Sequence, residues 1–311
     1  MSEDAVEVSI LIVNWNTRDI LVRCLDALPT GIDDEIAYEV IVVDNGSVDG
    51  SAEVLASRPG ITLIRNSANL GFAAAVNQAY ERSSGELVLL LNSDVDLTPG
   101  ALSELVRFLR RHAGVAGVAP LYTNPDGSPQ PFHFRFPTFA TILANGSAVF
   151  RRLNPASKDL LRRYRMSDED FSVARAVPQP SASCLLLRRS CLPGESLLDE
   201  RYPIFFNDVK LALDLTHRGH ELWVTPEATV VHEAHSSTRQ LSRGGRRQYL
   251  ASTVRLLSDT EPAAKLWLYR AVVFAQNLAL WAARRPEALR GRELWDTLAG
   301  DPGPLPAQPA N

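Results

Sequence analysis

The stretch Glu86–Leu97, ELVLLLNSDVDL, limits the fold of this chain more than any other. Its apolar run Leu87–Leu91 is typical of a strand that is buried on both faces of a parallel sheet. Asn92, Asp94 and Asp96 follow, before the chain turns into an apolar-periodic helix. Ligands bind at the carboxyl edge of open α/β sheets, so oxygen ligands there predict a Mg²⁺ or Mn²⁺ ion that holds a diphosphate. The alternative is that these acids only cap a helix or form a turn.

Strand and helix patterns alternate along the first part of the chain. Predicted strands cover Val8–Val13, Glu39–Val43, Ile61–Ile64 and Glu86–Leu91, and a helical pattern follows each of them. This alternation predicts an α/β fold with a doubly wound, mostly parallel sheet. Further strands are expected at Val115–Ala119, Cys184–Arg188, Glu221–Thr225 and Ala228–His232, and a further helix begins within Phe205–Asp208.

The last part of the chain is predicted to be a helical extension. We place the main domain at residues 1–240, the C-terminal helical extension at 241–300 and a disordered, Pro/Ala-rich tail at 301–311. Around and within the extension, the composition predicts a loop at Ser236–Arg247 and helices at Tyr249–Leu257 and Ala263–Arg285.

The charge of the chain is unevenly distributed. The net charge of −4 argues against general nucleic-acid binding. Residues 239–292 nevertheless hold eleven Lys/Arg and three Asp/Glu, a local net of +8, which leaves −12 for the rest of the chain. A basic C-terminal region predicts an anionic partner, such as a membrane surface or a lipid phosphate.

The cysteines and the N-terminus predict where the protein resides. Cys24, Cys184 and Cys191 form no CxxC pair, which is typical of a reduced cytosolic protein. The acidic, polar start MSEDAVEVS does not have the pattern of a signal peptide. We therefore expect a cytoplasmic location, with peripheral contact at the inner face of the cell membrane through the basic region.

The helix predicted at Ala263–Arg285 has an unusual surface. Arg270, Asn277 and Arg284 recur every seven residues as a narrow polar stripe, and the rest is apolar and rich in aromatic residues. Two alternatives remain open: a helix packed on the main domain, or an interfacial helix that lies in a membrane surface. A transmembrane span is not expected, because inserting Arg270 into the bilayer is costly.

Two segments that connect the predicted strands and helices are each distinguished by their composition. The Pro-rich stretch Tyr122–Phe139 carries His133 and the rings of Phe132, Phe134, Phe136 and Phe139, so it is a candidate aromatic flap near the site. The alternative is that these rings only pack on the sheet edge. The polar, charged segment Arg151–Asp170 is predicted to be a mobile excursion.

Six short motifs stand in a fixed order: VNWN, DNGSVDGS from Asp44, NLGFAAAVN from Asn69, LLLNSD ending at Asp94, FFND ending at Asp208, and a late His232. Together they resemble the inverting family 2 glycosyltransferases of the GT-A fold. The resemblance covers residues from about 8 to about 237. The rhamnosyltransferase-like branch is the nearest, since LLNSD stands where that branch usually has an LLNPD-type motif.

The resemblance implies a donor-nucleotide site at the ends of the first strands. In the family, the residue at Asp44 accepts a hydrogen bond from the base or ribose. Gly71 would allow the backbone to approach the nucleotide closely, and Asn77 would point from its helix into the same crevice. The implied donor-binding residues are Asn14, Asn16, Asp44, Asn45, Asp49, Asn69, Gly71, Phe72, Asn77, Asn92 and Ser93.

The resemblance also implies a metal site. Asn92-Ser93-Asp94 stands for the metal-binding DxD of the family, with Asn in place of its first acid. Asp94 is then the principal ligand of Mg²⁺ or Mn²⁺, Asp96 a helper, and His232 a further ligand. Fewer anionic ligands predict weaker metal binding without the sugar nucleotide. The alternative for His232 is an ordinary hydrogen-bonded histidine at a strand end.

Asp208 matches the acid that the family uses as catalytic base. The resemblance implies that the metal neutralises the leaving diphosphate while Asp208 takes a proton from the acceptor hydroxyl. A single displacement then inverts the anomeric carbon, by the same stereochemical logic as in glycoside hydrolysis. Asn207, Lys210 and Asp214 depart from the pattern of the family, and they affect acceptor recognition more than the base.

The implied activity is transfer of a sugar, with rhamnose a candidate, from a dTDP- or UDP-sugar to a hydroxyl of a glycan, a lipid-linked or a small-molecule acceptor. Two other functions stay open. A nucleotidyltransferase would need a Gly-rich loop after the first strand, where this chain has NWNTRD. A catalytically silent sugar-nucleotide-binding protein is the second, and Asn92, Asn207 and Lys210 argue for it.

Overall fold

A computed structural model describes residues 6–33, 35–233, 243–303 and 305. Its first half contains β1 (Val8–Asn14), α1 (Arg18–Gly31), β2 (Tyr38–Asp44), α2 (Ser51–Ala56), β3 (Ile61–Arg65), α3 (Phe72–Arg82), β4 (Leu87–Asn92), β5 (Val95–Leu97), α4 (Ala101–Arg111) and β6 (Val115–Thr123).

The second half begins with short elements and ends with helices. It contains β7 (Pro129–Gln130), β8 (His133–Phe134), α5 (Phe139–Gly146), α6 (Ala148–Leu153), α7 (Ser157–Tyr164), β9 (Arg175–Ala176), β10 (Gln179–Pro180), β11 (Cys184–Arg188), a 3₁₀ turn (Arg189–Cys191), α8 (Asn207–His217), β12 (Glu221–His232), α9 (Arg243–Thr260), α10 (Ala263–Ala282) and α11 (Arg292–Ala299).

One mixed, mostly parallel sheet forms the centre of the molecule, which confirms the predicted α/β class. Its strand order is β3-β2-β1-β4-β11-β6-β12-β5, with β7 and β9 attached at β6 and β12. The strands β1 to β4 are parallel, and β11 lies antiparallel between β4 and β6. The strand order reverses at β1, which pairs with both β2 and β4. Such a switch point opens a crevice at the carboxyl ends of the two strands.

The continuous apolar run of β4 is explained by burial on both faces. Leu89 and Leu91 pack in one hydrophobic cluster with residues of α1 and α4. Val88 and Leu90 pack in a second cluster, with residues of α3 and α8. Because neighbouring side chains of a strand point to opposite faces, every position of this strand must be apolar.

The helical extension packs onto the sheet domain through a third cluster. Leu250, Val254 and Leu257 of α9 lie in this cluster together with Ile142 of α5 and Tyr202. The domain boundary predicted near residue 240 falls outside the described residues, as do residues 236–242 of the predicted loop and most of the predicted tail. The division into these parts stays a prediction.

Three local predictions are wrong. Residues 151–170 form parts of α6 and α7 rather than an excursion without structure. The two predicted C-terminal strands are one strand, β12, because a register shift against β6 between Val224 and Thr229 accommodates Pro226. Helix α9 begins at Arg243, so the predicted loop ends earlier than Arg247.

The three cysteines differ in exposure. Cys24 and Cys184 are buried, Cys191 is partly buried, and all three are free thiols. Among the helices that the structure describes, none has the length and hydropathy needed to cross a membrane.

Candidate active site

A cavity of about 330 Å³ opens at the carboxyl ends of β1 and β4. Two sets of residues line it. The motif set follows the first strands and consists of Val13, Trp15, Asn45, Asn69, Phe72, Asn92, Ser93 and Asp94. The later set comes from the rest of the sheet domain and consists of Phe132, Phe134, Ser181, Ala182, Ser183, Ile204, Phe205, Phe206, Asn207, Asp208 and His232.

The structure brings Asp94 and His232 together at this cavity. Both side chains are nearly buried, and Nε2 of His232 lies 3.6 Å from Oδ1 of Asp94. Nδ1 of His232 lies 2.7 Å from Oε1 of Gln130. Nε2 of Gln130 donates to Oδ1 of Asn124 and to the carbonyl oxygen of His232, so its Oε1 is the atom that faces the ring. An amide oxygen only accepts, so Nδ1 carries a proton, and the uncharged tautomer of the ring presents a lone pair at Nε2.

This arrangement of Asp94 and His232 fits a divalent cation. A lone pair and a carboxylate oxygen 3.6 Å apart are too far for a good hydrogen bond and are both electron-rich. Imidazole nitrogen and carboxylate oxygen are both ordinary ligands of Mn²⁺-like ions, and a ligating histidine usually donates its other N–H to a second group. Gln130 supplies that second group here.

The structure does not bring Asp96 to the cavity. Its carboxylate accepts a 2.6 Å hydrogen bond from Arg23 of α1, which also bonds Glu233. In the part of the chain that the structure describes, no group of three or more His, Cys, Asp or Glu side chains is arranged to hold a metal. Asp96 lies on β5 and bonds Arg23 of α1 in the structure, and its helper role at the metal stays a prediction.

Asp208 lies in the first turn of α8 and lines the cavity. Its Oδ2 accepts a hydrogen bond from Nε2 of Gln179 at 3.2 Å, and its Oδ1 accepts from the backbone N–H of Val209. Burial raises the pKa of this carboxyl group, and the two hydrogen bonds oppose that shift. A carboxylate with a raised pKa is a stronger base, which suits proton abstraction.

The residues before Asp208 hold its helix in place. Phe206 adopts a left-handed conformation with φ of 66°, which is costly for a bulky side chain. The amide of Asn207 is buried and donates to the carbonyl oxygens of Tyr202 and Ile204. Asn207 therefore fixes the loop, and it has a structural role that its motif position did not predict.

The other two departures from the family pattern compensate each other. Lys210 and Asp214 lie one turn apart on α8, and Nζ of Lys210 is 2.6 Å from Oδ2 of Asp214. An i,i+4 pair of opposite charge stabilises a helix by a few tenths of a kcal/mol. The two residues thus form a pair on the helix surface, and neither lines the cavity.

The predicted donor residues divide into those that line the cavity and those that support it. Asn45, Asn69, Phe72, Asn92 and Ser93 line it, whereas Asn14, Asn16, Asp44, Asp49, Gly71 and Asn77 do not. Asp44 is buried and accepts hydrogen bonds from Nδ2 of Asn14 and from the backbone N–H of Ser47. This network fixes the strand ends around which the cavity forms.

Asn45 joins two loops at the edge of the cavity. Its Nδ2 donates to Oδ1 of Asn69 and to the carbonyl oxygen of Gly71, and its Oδ1 accepts from the N–H of Leu70. Gly71 has φ of 91°, and a Cβ there would lie 2.9 Å from the carbonyl oxygen of Pro203. Gly71 thus approaches another loop of this chain closely, and its close approach to the nucleotide stays a prediction.

Three further residues that were predicted to contact the donor bond other parts of the chain in the structure, and their contact with the donor stays a prediction. Asn77 points away from the cavity and bonds the backbone of Leu198, since α3 packs against that segment. Oδ1 of Asn16 accepts from the backbone N–H of Val48, and Asp49 accepts from that of Arg18. These side chains are used to hold neighbouring loops together.

The aromatic segment is partly at the site. Phe132 and Phe134 line the cavity, which agrees with the predicted flap, and the ring of Phe132 lies 4.6 Å from that of His232. His133 points the other way and is buried. Neighbouring side chains of an extended chain point to opposite faces. His133 therefore lies on the face opposite to that of Phe132 and Phe134.

Residues 9–192 match the family model described as glycosyl transferase family 2. The chain belongs to this family. A relative is the N-acetylglucosaminyl-diphospho-decaprenol L-rhamnosyltransferase of Mycobacterium tuberculosis, which is 31% identical over 220 residues, covering 66% of this chain and 70% of that protein. This protein is accordingly a glycosyltransferase.

Solved structures agree with the fold of this glycosyltransferase. A mannosyltransferase from Pyrobaculum calidifontis in complex with GDP-Man and Mn²⁺ is similar with a TM-score of 0.56 and 16% identity, over 95% of this chain and 85% of that one. GalNAc-T7 with UDP, GalNAc and Mn²⁺ is similar with a TM-score of 0.53 and 15% identity, over 74% of this chain and 44% of that one. Both likenesses show the GT-A fold.

Several residues of the glycosyltransferase site were missed by the sequence motifs. Trp15 lines the cavity, and its buried indole N–H has no hydrogen-bond partner among the residues that the structure describes. Its position between two asparagines of VNWN was a usable signal. Gln130, Gln179 and Ser183 had no such signal, because only the tertiary structure places them beside His232, Asp208 and Asn92.

Proposed function

We propose that this glycosyltransferase is inverting and depends on a divalent metal ion. It would transfer a sugar, with rhamnose as the first candidate, from a dTDP- or UDP-sugar to a hydroxyl of a glycan or lipid-linked acceptor. One observation carries the proposal. Asp94 and His232, which fit a divalent cation, line the same cavity as the carboxylate of Asp208.

The relatives support the choice of donor and acceptor. The name of the M. tuberculosis enzyme contains both an L-rhamnosyl group and a diphospho-decaprenol-linked acceptor. The two structural neighbours hold a nucleotide or nucleotide sugar together with Mn²⁺. A lipid-linked acceptor supports a location at the inner face of the cell membrane, with the enzyme in the cytoplasm.

Asp94 and His232 are the residues that would hold Mg²⁺ or Mn²⁺. When bound, such an ion neutralises the charge of the leaving nucleoside diphosphate. With one carboxylate and one imidazole from the protein, much of the coordination shell is left for diphosphate oxygens and water. We therefore expect the metal to bind more tightly with the sugar nucleotide than alone.

Asp208 is proposed to take the proton from the acceptor hydroxyl. The hydroxyl oxygen attacks the anomeric carbon as the bond to the diphosphate breaks, so the configuration inverts in a single step. Gln179 and the N–H of Val209 hold the two carboxylate oxygens, which leaves their remaining lone pairs for the proton.

The aromatic side chains of the later set are proposed to bind the sugars. Phe132, Phe134, Phe205 and Phe206 line the cavity together with Asp208. Flat apolar rings with a few polar groups are typical of small-molecule sites, where the rings exclude water and the polar groups fix the orientation.

The proposal can be tested with a panel of sugar nucleotides. The full chain would be incubated with dTDP-, UDP- and GDP-sugars in Mn²⁺, Mg²⁺ or EDTA, and release of the nucleoside diphosphate would be measured. We expect turnover of one donor with metal and none in EDTA. Asp94→Ala should lower turnover by roughly 10²-fold or more, whereas Asp96→Asn, as matched control, should keep metal dependence unchanged.

The same assay distinguishes the proposed activity from the other functions. Full activity of Asp94→Ala in EDTA would contradict the metal site. Binding of a sugar nucleotide without any turnover, across a set of acceptors, would indicate the catalytically silent protein. Formation of pyrophosphate from a nucleoside triphosphate and a sugar phosphate would indicate a nucleotidyltransferase.

A further inference from the structure

Exposed aromatic residues form a continuous patch on α10 and α11. Trp267, Phe274 and Trp281 on α10 are 66%, 41% and 58% exposed, and Trp295 on α11 is 64% exposed. The rings of Phe274 and Trp295 lie 6.1 Å apart, so the two helices present one surface. We call this patch the aromatic face, and it also includes Leu268 and Leu278.

One side of α10, which includes Asn277, faces inward. Asn277 is 3% exposed, and its amide both donates to the carbonyl oxygen of Leu289 and accepts from its N–H, each at 2.8 Å. Leu266, Tyr269 and Val273 are buried on the same side. Of the predicted polar stripe, Asn277 is therefore buried and anchors the following chain, whereas Arg284 is exposed.

The two hydrogen bonds of Asn277 fix the rotation of α10 about its axis. Turning the aromatic face inward would break both bonds and leave a buried amide unsatisfied. The exposure of the tryptophans is therefore built into the packing of the helix. Large exposed aromatic patches on a protein mark a binding surface.

The residues around the aromatic face are basic. Residues 263–299, which hold both helices, contain six Lys/Arg and three acids, Glu287, Glu293 and Asp296. Arg284, Arg285, Arg290 and Arg292 are all exposed and lie near the C-terminal end of α10 and the start of α11. Cationic residues beside tryptophans are the composition of surfaces that bind anionic lipid headgroups.

A second copy of this chain fits the surface less well. In a two-fold symmetric dimer the same patch meets itself, so the arginines beside both patches would be brought close together. Repulsion between them would oppose association. A bilayer with anionic headgroups instead offers negative charge to the arginines and an apolar layer to the tryptophans.

We propose that the aromatic face docks the enzyme onto an anionic membrane surface, with α10 lying in the interface. Trp267 and Trp281 are fourteen positions apart, so they are separated by about 21 Å along the helix axis and give two anchor points. The surface lies outside the cavity. The proposal therefore stands or fails independently of the sugar transfer.

The test is co-sedimentation of the full chain with vesicles. Vesicles of phosphatidylcholine alone would be compared with vesicles that contain phosphatidylglycerol, at low and at high salt. We expect binding to the anionic vesicles that salt weakens, and little binding to the neutral ones. Trp267→Ser with Trp281→Ser should lower the binding by roughly tenfold or more, since both apolar anchors are lost.

A matched control replaces exposed apolar residues elsewhere. Val149→Ser with Leu153→Ser changes side chains of α6 that are 64% and 78% exposed, and it should leave vesicle binding within about twofold. Thermal unfolding of both double variants checks that the fold is intact.

Three outcomes would overturn the proposal: no binding to anionic vesicles at low salt, equal loss in both double variants, or unchanged binding after the tryptophans are replaced. Sedimentation velocity adds a fourth. If the wild-type chain is a dimer and the tryptophan variant a monomer without a defect in vesicle binding, the aromatic face joins two copies. Transfer to a soluble acceptor should be unaffected by the tryptophan variant, which separates this test from that of the proposed activity.

Discussion

The cavity and the aromatic face differ in where their polar groups point. At the cavity, Asn45 and Asp94 lie at the ends of buried strands and line an opening. On α10, Asn277 points inward and bonds Leu289, and the exposed side is aromatic. Asn45 and Asn277 nevertheless have the same local role, since the side chain of each joins two chain segments by hydrogen bonds to backbone atoms.

This comparison shows that a buried asparagine at a junction does not by itself identify a binding site. Function depends on which groups remain exposed once the junction is formed. The cavity exposes a carboxylate and an imidazole, which suit a cation and a diphosphate. The aromatic face exposes indole rings with arginines nearby, which suit a lipid surface.

The largest expected effect is that of Asp208→Asn at the cavity. An amide cannot take a proton at neutral pH, so turnover should fall by about 10²–10⁴-fold, whereas affinity for the donor should remain nearly intact. Burial raises the pKa of Asp208 in the folded state, so the ionised group costs folding free energy above its unfolded pKa. The variant should therefore be at least as stable as the wild type, as measured by thermal unfolding.

The pH profile gives a second measurement for Asp208. The base acts only when ionised, so turnover should fall toward acid pH with a midpoint above the ordinary value for aspartate of about 4. Asp214→Asn on the same helix is the matched control and should change turnover little. If Asp208→Asn loses donor binding instead, this carboxylate holds the donor or the metal and the base lies elsewhere.

An intermediate effect is expected from Gln130→Leu. This change removes the oxygen that receives the Nδ1 proton of His232, so the ring loses its orientation and tautomer. Loss of such a supporting group typically weakens metal affinity by about 10–100-fold. Titration of Mn²⁺ in the presence of donor measures it, and Gln130→Glu, which keeps an acceptor, should restore part of the affinity. Equal affinity in all three proteins would mean that His232 is not a ligand.

The smallest effects are expected when the asparagine that joins two segments is replaced in each of the two regions. Asn45→Ala and Asn277→Ala each remove hydrogen bonds that join two segments, so each should cost about 1–3 kcal/mol of unfolding free energy. Only Asn45→Ala should also weaken donor binding, because only Asn45 lines the cavity. Denaturant unfolding and donor calorimetry measure the two properties. A loss of donor binding in Asn277→Ala would show that the two regions are coupled.

A large part of the fold could be predicted from the sequence. The alternation of strand and helix patterns before β4 predicted the parallel strands and their order along the chain. The apolar run of β4 predicted a central strand, since burial on both faces requires such a run. The start of α8 near Asp208 was also predicted. The short strands and helices between β6 and β11 were not, because their stability comes from contacts with distant segments rather than from local pattern.

The candidate site was predicted less completely. The sequence placed Asp94, Asn92 and His232 at strand ends, and the structure brings all three to the cavity. The same sequence patterns also predicted Asp96 and Asn77 at the cavity. Both are polar residues near the same strands and helices, and only their partners, Arg23 and Leu198, distinguish them.

The sequence by itself determined the main strands and helices and which polar residues follow the strands, because these depend on local periodicity. The tertiary structure alone decided which way each polar side chain points. That direction depends on strand register and on helix rotation, which are set by contacts between residues far apart in the chain. For this reason Gln130 and Gln179 are visible only in the structure, and Asn277 of α10 is found inside while Arg284 and the tryptophans face outward.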